Sequence, residues 1–418
     1  MWRKTLFILL LAGWQKAPAQ LPQAQLPQVQ VPNVQLPGVG PVLPEAARAV
    51  GGLRELTGAR ALRVQRLFNE HRAELDRDPR GELVVRAEVV AIDITPAALD
   101  KAVAAKFSVL RTDELADLGV KITVLQTPEG MSASRGLKRL RKLDPEGTYD
   151  FNHVYLDSGI DVAERSAQFR RAASEPSGGA AATGRVGLID GGIGEHKALE
   201  RLRVQRFGCQ GAVVPSTHGL AVASILASRG AVTDLFAADV YCGEPAGGAV
   251  DSVAAAFGWM AREKVAVINV SLVGPRNALL ERAVGALVAR GHVIVAAVGN
   301  DGPAAAPLFP ASYEGVIGVT GVDAKHRVLI EAGRGKQVDF AALGADVSAA
   351  VAAPDRYAAV RGTSFAAPLV SSMLAELRAP DVGQREQLLG KLNALARDLG
   401  KPGRDDVYGA GELANAYR

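Results

Sequence analysis

Residues 184–192 read Gly-Arg-Val-Gly-Leu-Ile-Asp-Gly-Gly, and their pattern decides how the second half of the chain folds. Val186 to Ile189 is a short apolar run without polar alternation, as in a strand covered on both faces. Similar runs follow at Leu235–Tyr241, Val265–Val270, Val293–Ala297 and Val316–Val319, with helical stretches between them. Buried strands alternating with helices predict an α/β domain over 184–418, a mostly parallel sheet flanked by helices. Asp190 follows directly on the first strand, beside two glycines that let other backbone come close.

Working outward, the preceding residues have a different character. Arg3 and Lys4 stand before the apolar run Leu6–Ala12, and Ala17-Pro18-Ala19 offers a small-x-small cleavage site. Residues 1–19 therefore read as a signal peptide and predict a secreted or periplasmic protein. Residues 20–44 are a Pro/Gln-rich linker containing LPQAQ, LPQVQ, VPNVQ and LPGVG; their regularly spaced prolines oppose helix and central strand alike. A helical segment is expected over 45–80, with Leu62, Leu67, Phe68 and Leu75 on its apolar face. Residues 81–155 read as a small α+β module. Its strands are Glu82–Ile94, Val120–Leu125 and Tyr149–Tyr155; its helices run from Thr95-Pro96 to about Phe107 and over the basic stretch Ser132–Leu143. Residues 156–183, polar and small, read as a linker.

Composition narrows the function. The 418 residues carry 48 basic and 44 acidic side chains, a net charge of +4, which gives no support to a nucleic-acid binder. No apolar stretch reaches the roughly 18 residues of a membrane-spanning helix. Two cysteines, Cys209 and Cys242, cannot form a four-cysteine zinc site. In an exported protein they can form a disulfide, bracing the segment around His218. His153, His196 and His326 lack helical metal-ligand spacing. No metal and no cofactor are expected.

Four segments carry chemistry. Asp190 ends its strand. Thr217-His218-Gly219 opens an apolar helix. Ala296-Ala297-Val298-Gly299-Asn300 is a buried strand ending in a carboxamide. Gly362-Thr363-Ser364-Phe365-Ala366-Ala367-Pro368 sets a serine at a helix start. Singly, each has a structural explanation such as a helix cap. Together they supply acyl transfer: Ser364 as nucleophile, His218 as base and then acid, Asp190 to fix the imidazole. Asn300 and the Ser364 amide would stabilise the oxyanion.

The order Asp190, His218, Ser364, with these flanks, resembles the subtilisin family of serine peptidases. Val267–Leu272 resembles that family's substrate-pairing strand, and Phe309–Tyr313 the segment after the oxyanion asparagine. The resemblance implies a subtilisin-like fold acting on polypeptide substrates. Ser271, Leu272, Val273 and Gly274 would pair with extended substrate. Ala296, Ala297, Val298 and Gly299 would line an apolar specificity pocket. It also implies that 81–155 is a propeptide, the enzyme's own intramolecular inhibitor, with self-cleavage expected near Tyr155–Leu156. Asp157-Ser158-Gly159 matches the usual aspartate tripeptide by letters, but Asp190 has the strand-and-histidine context. Gly191 stands where the family usually has serine or threonine, and Val273 where glycine is common. These departures motivate the alternative of a catalytically impaired peptide-binding protein. A lipase-type hydrolase would require a G-x-S-x-G elbow and the order Ser, Asp, His.

Overall fold

The computed structural model describes residues 58–158, 184–353, 355–377 and 385–413. The expected signal peptide, proline-rich linker, first part of the helical segment, and residues 159–183 lie outside these. None of the described helices is long and apolar enough to cross a membrane.

The N-terminal described elements are helix α1 (58–70), β1 (Leu75–Arg77), β2 (Leu83–Ile92), α2 (Pro96–Ala104), β3 (Ser108–Leu115), β4 (Val120–Gln126), α3 (Ala133–Leu143) and β5 (Thr148–His153). The strands form one antiparallel sheet in the order β1-β2-β4-β3, with β5 also on β2. Alternation along β2 divides its side chains between two cores. Val89 and Ala91 pack with Phe107, Leu137 and Leu140 of the helical side. Val90 and Ile92, with Val120, Ile122 and Val124, join a core that continues into Phe257 and Trp259 of the α/β part.

Two expectations fail here. Leu75 does not continue the α1 face but lies fully buried in β1, while Leu62 is 62% exposed. Leu67 and Phe68 do pack on the expected face, joined by Val64. β3 went unread because almost every residue in it is exposed, so burial leaves no periodic mark on its sequence.

After β5 comes β6 (Leu156–Asp157), which lies apart from both sheets, and the α/β part begins with β7 (Gly184–Asp190). It continues through β8 (Arg203–Phe207), α4 (Thr217–Ala227), β9 (Val232–Asp239), α5 (Val250–Arg262) and β10 (Val267–Val270). Next come β11 (Leu272–Val273), α6 (Ala278–Ala289), β12 (Val293–Ala297), β13 (Ile317–Val322), β14 (Phe340–Leu343) and α7 (Thr363–Glu376). Seven strands form a parallel sheet ordered β14-β13-β12-β10-β7-β9-β8. The strand order reverses between β7 and β10. In open α/β sheets this is where a crevice forms, beyond the carboxyl ends of the strands. Asp190, Ser271 and Asn300 all lie at that edge.

The N-terminal sheet is keyed to α5 and α6 by polar contacts at their first turns. Asp150 Oδ2 accepts from Ala278 N at 2.8 Å, and Asn277 Nδ2 donates to Phe151 O at 2.9 Å. Arg111 Nε donates to Asp251 at 2.7 Å. A carboxylate at a helix N-terminus meets unsatisfied N–H groups and the positive end of the helix dipole.

Candidate active site

Asp190 ends β7, and its Oδ1 lies 2.9 Å from His218 Nδ1. An ionised carboxylate only accepts, so Nδ1 carries the proton. His218 is the second residue of α4, whose N-cap Ser216 accepts from Gly219 N at 3.3 Å. Gly219 permits the approach of this helix: a Cβ there would stand 2.2 Å from Gly191 O. Burial pushes the Asp190 carboxyl up, against the opposing pull of His218 and of the Gly191 N–H donated at 2.6 Å.

Ser364 is the second residue of α7. Its carbonyl accepts from Ser271 Oγ at 3.0 Å, Ser271 Oγ accepts from Asn269 Nδ2 at 2.9 Å, and Asn269 Oδ1 accepts from Ser371 Oγ at 3.0 Å. All four residues are fully buried, so this chain of bonds fixes the helix start against β10. Asn300 Oδ1 accepts from Thr363 N at 3.1 Å, which orients its amide nitrogen outward.

That nitrogen is bonded to the carbonyl of Ser158, whose hydroxyl meets the hydroxyl of Ser364. The preceding residues are extended in the cleft. Leu156 and Asp157 pair antiparallel with Val273 and Leu272. Tyr155 N donates to Gly248 O at 2.8 Å, and Ser158 N to Ser271 O at 3.2 Å. The Tyr155 side chain is fully buried, and its hydroxyl donates to Pro275 O at 2.5 Å. Gly274 makes room for it, since a Cβ there would lie 2.6–2.9 Å from the Tyr155 ring.

The residues selected from the sequence are therefore placed as follows. Asp190 and His218 are bonded to each other, and Ser364 and Asn300 meet at Ser158. Leu272 and Val273 pair with the cleft strand, and Gly274 faces Tyr155. Ala296, Ala297 and Val298 send their side chains into the two cores on either side of the sheet, and Gly299 N donates to Thr363 Oγ1 at 3.2 Å. Cys209 and Cys242 are disulfide-bonded, with Cα atoms 5.2 Å apart. The expected linker start at 156 gives way to a strand that runs on through Asp157. Asp157 itself lies in that strand, paired with Arg63.

Arg60, Arg63 and Ser371 were not singled out from the sequence, and Tyr155 and Asn269 were read only as members of extended segments, without the partners they have here. Asn269 and Ser371 had a signal: polar residues within apolar runs that must find partners when buried. The arginines had none, because ordinary solvated helix faces carry the same residues.

The family model described as "Peptidase_S8: Subtilase family" matches residues 210–411. Subtilisin BL of Lederbergia lenta is 30% identical over 247 residues, covering 56% of this chain and 88% of that protein. The "Minor extracellular protease Epr" of Bacillus subtilis (strain 168) is 30% identical over 166 residues, 39% of this chain and 26% of that protein. In three dimensions the chain is similar to fervidolysin from Fervidobacterium pennivorans, described as a keratinolytic enzyme related to subtilisin. That match has a TM-score of 0.65 at 18% identity, covering 81% of this chain and 62% of the other, and is a likeness of fold. The chain thus spans less than two thirds of the length of Epr and of fervidolysin.

Proposed function

The chain belongs to the subtilase family of serine peptidases, and we propose that it is an exported, self-processing endopeptidase whose residues 58–158 form the pro-segment. Ser364 attacks a peptide carbonyl, His218 takes its proton and returns it to the leaving amine, and Asp190 holds the imidazole tautomer. Asn300, with the Ser364 amide at the N-terminus of α7, stabilises the oxyanion. The substrates are polypeptides bound as an added strand on Leu272 and Val273, a mode in which main-chain bonds supply much of the affinity.

One observation carries this reading: the Ser158 carbonyl is bonded to Asn300, while the hydroxyl of the same residue meets that of Ser364. A carbonyl so placed is the one to be attacked, so self-cleavage falls between Ser158 and Gly159. This moves the cleavage position three residues beyond the Tyr155–Leu156 bond expected from the sequence. The Gly191 departure is offset by neighbouring packing, because the space a side chain would take there is held by Ser216.

The test compares intact masses of the wild-type chain and Ser364→Ala after expression with export. A wild-type fragment beginning at Gly159, absent from Ser364→Ala, supports the reading. Identical masses in both refute self-cleavage. Labelling of the processed protein by a fluorophosphonate, lost in Ser364→Ala, separates an active peptidase from a peptide-binding relative.

A further inference from the structure

Helix α1 lies outside both the sheet that packs on α5 and α6 and the domain that holds the triad residues, yet it reaches the cleft. Its Val64, Leu67 and Phe68 pack with Val154 and Leu156 of the cleft strand and with Ala246 of the α/β part. Two arginines one turn apart extend from it. Arg60 donates to Asp301, next to Asn300, at 3.1 Å and also pairs with Glu82 of the N-terminal sheet. Arg63 pairs with Asp157. The helix is therefore tied at one point to the loop carrying Asn300 and at another to the residue immediately before Ser158.

Asp157 sits in the same electrostatic neighbourhood as Asp190, each carboxylate disfavouring the other's charge. Burial also works against the Asp157 charge, yet His218 and Arg63 together hold its carboxyl below the usual value. Arg63 reaches Asp157 from α1 rather than from the cleft. The Asp157 side chain is 15% exposed and that of Arg63 39%, so solvent screens the pair only in part.

We propose that Arg63 is a specificity-determining residue supplied by the pro-segment itself, completing the subsite for Asp157 so that Tyr155–Ser158 is well accommodated only while α1 is docked. Arg60 positions Arg63 by fixing the helix to Asp301 and Glu82. The same cleft, without α1, receives an aspartate in this position next to Asp190 with the guanidinium of Arg63 gone and His218 alone opposing the repulsion. The cleavage sequence is thus suited to its own chain and poorly suited to attack by a second, mature molecule. The proposal rests on the self-processing reading above.

The experiment follows first-order self-cleavage of the full chain by intact mass after refolding, in wild type, Arg63→Ala, Arg63→Lys, Asp157→Asn and the Arg63→Ala/Asp157→Asn pair, with Ser364→Ala as control. Arg63→Ala is expected to cleave about tenfold more slowly, equivalent to ~1.4 kcal/mol. Arg63→Lys should recover part of the rate. Asp157→Asn removes the need for the cation, so the double variant should cleave at the rate of Asp157→Asn alone, which also shows that loss of Arg63 leaves the chain able to fold. Wild-type cleavage with an unchanged rate in Arg63→Ala overturns the proposal and leaves self-processing intact. A double variant as slow as Arg63→Ala also overturns it, assigning the helix a purely structural role. Absence of Ser364-dependent cleavage in wild type overturns both readings.

Discussion

Tyr155 is the side chain by which the cleft holds the proposed pro-segment most deeply, and its removal tests that grip. The ring is fully buried, its hydroxyl donates to Pro275 O at 2.5 Å, and Gly274 lies flat against it. Truncating a buried aromatic side chain to alanine costs roughly 3–5 kcal/mol. Main-chain pairing by Leu156 and Asp157 and the apolar sheet contact remain, so the loss falls on affinity and not on the path of the strand. At about 4 kcal/mol, the cleaved pro-segment should bind on the order of 10³-fold more weakly in Tyr155→Ala. Tyr155→Phe, which keeps the ring and loses one hydrogen bond, should cost only ~1 kcal/mol, about fivefold. Gly274→Ala fills the same space from the opposite wall and should resemble Tyr155→Ala. The assay follows co-elution of the two fragments after cleavage, with the onset of hydrolysis of a chromogenic peptide as the second readout. Fragments of Tyr155→Ala that stay together for the wild-type lifetime would refute the argument that this pocket anchors the pro-segment.

Other perturbations give separable outcomes. Asn300→Ala should lower kcat on a peptide substrate roughly 10²–10³-fold with little change in KM, a range known from a subtilisin itself; steady-state kinetics of the processed enzyme checks this. Gly191→Ser places a Cβ 2.5 Å from Ser216 Cβ, and such overpacking should cost about 1–3 kcal/mol; in the non-cleaving Ser364→Ala chain it should lower Tm, with partial recovery on adding Ser216→Gly. Cys242→Ser opens the disulfide that joins positions 33 residues apart and should lose ~2–4 kcal/mol, measured in the same background by thermal melting. The Asp157 carboxyl is held below its ordinary 3.8 in the folded chain, because His218 and Arg63 outweigh burial. A depressed aspartate contributes stability above its unfolded value and loses it as pH falls through the folded value. Retention of the cleaved pro-segment should therefore be flat from neutral pH down to the ordinary aspartate range and fall below it, a fall that Asp157→Asn should blunt in the co-elution assay.

How far the sequence could be read depended on where each residue's partners lie. The strands β7, β10 and β12 were legible because burial on both faces leaves continuous apolar runs. β3 was not, because its residues face solvent and it is held by backbone bonds to β4. Asp190, His218, Asn300 and Ser364 each sit at the end of a strand or the start of a helix, so a short local motif places each one. The partners of α1 are of another kind: Arg60 and Asp301 are 241 positions apart, and Arg63 and Asp157 are 94 apart. No local pattern couples such residues.

The same reasoning explains why the extended segment was ended too early. A strand added to Leu272 and Val273 is held through its main chain, and main-chain pairing places almost no demand on side chains, so 156–158 look like linker. Sequence information returns only where a side chain has a built partner. In this segment those are Tyr155, with the space left by Gly274, and Asp157, with the charge of Arg63. The first of these partners belongs to the α/β part and remains for any later substrate. The second belongs to α1; under the proposed self-processing it would leave with the pro-segment, and the clefts before and after cleavage would then differ in charge beside Asp190.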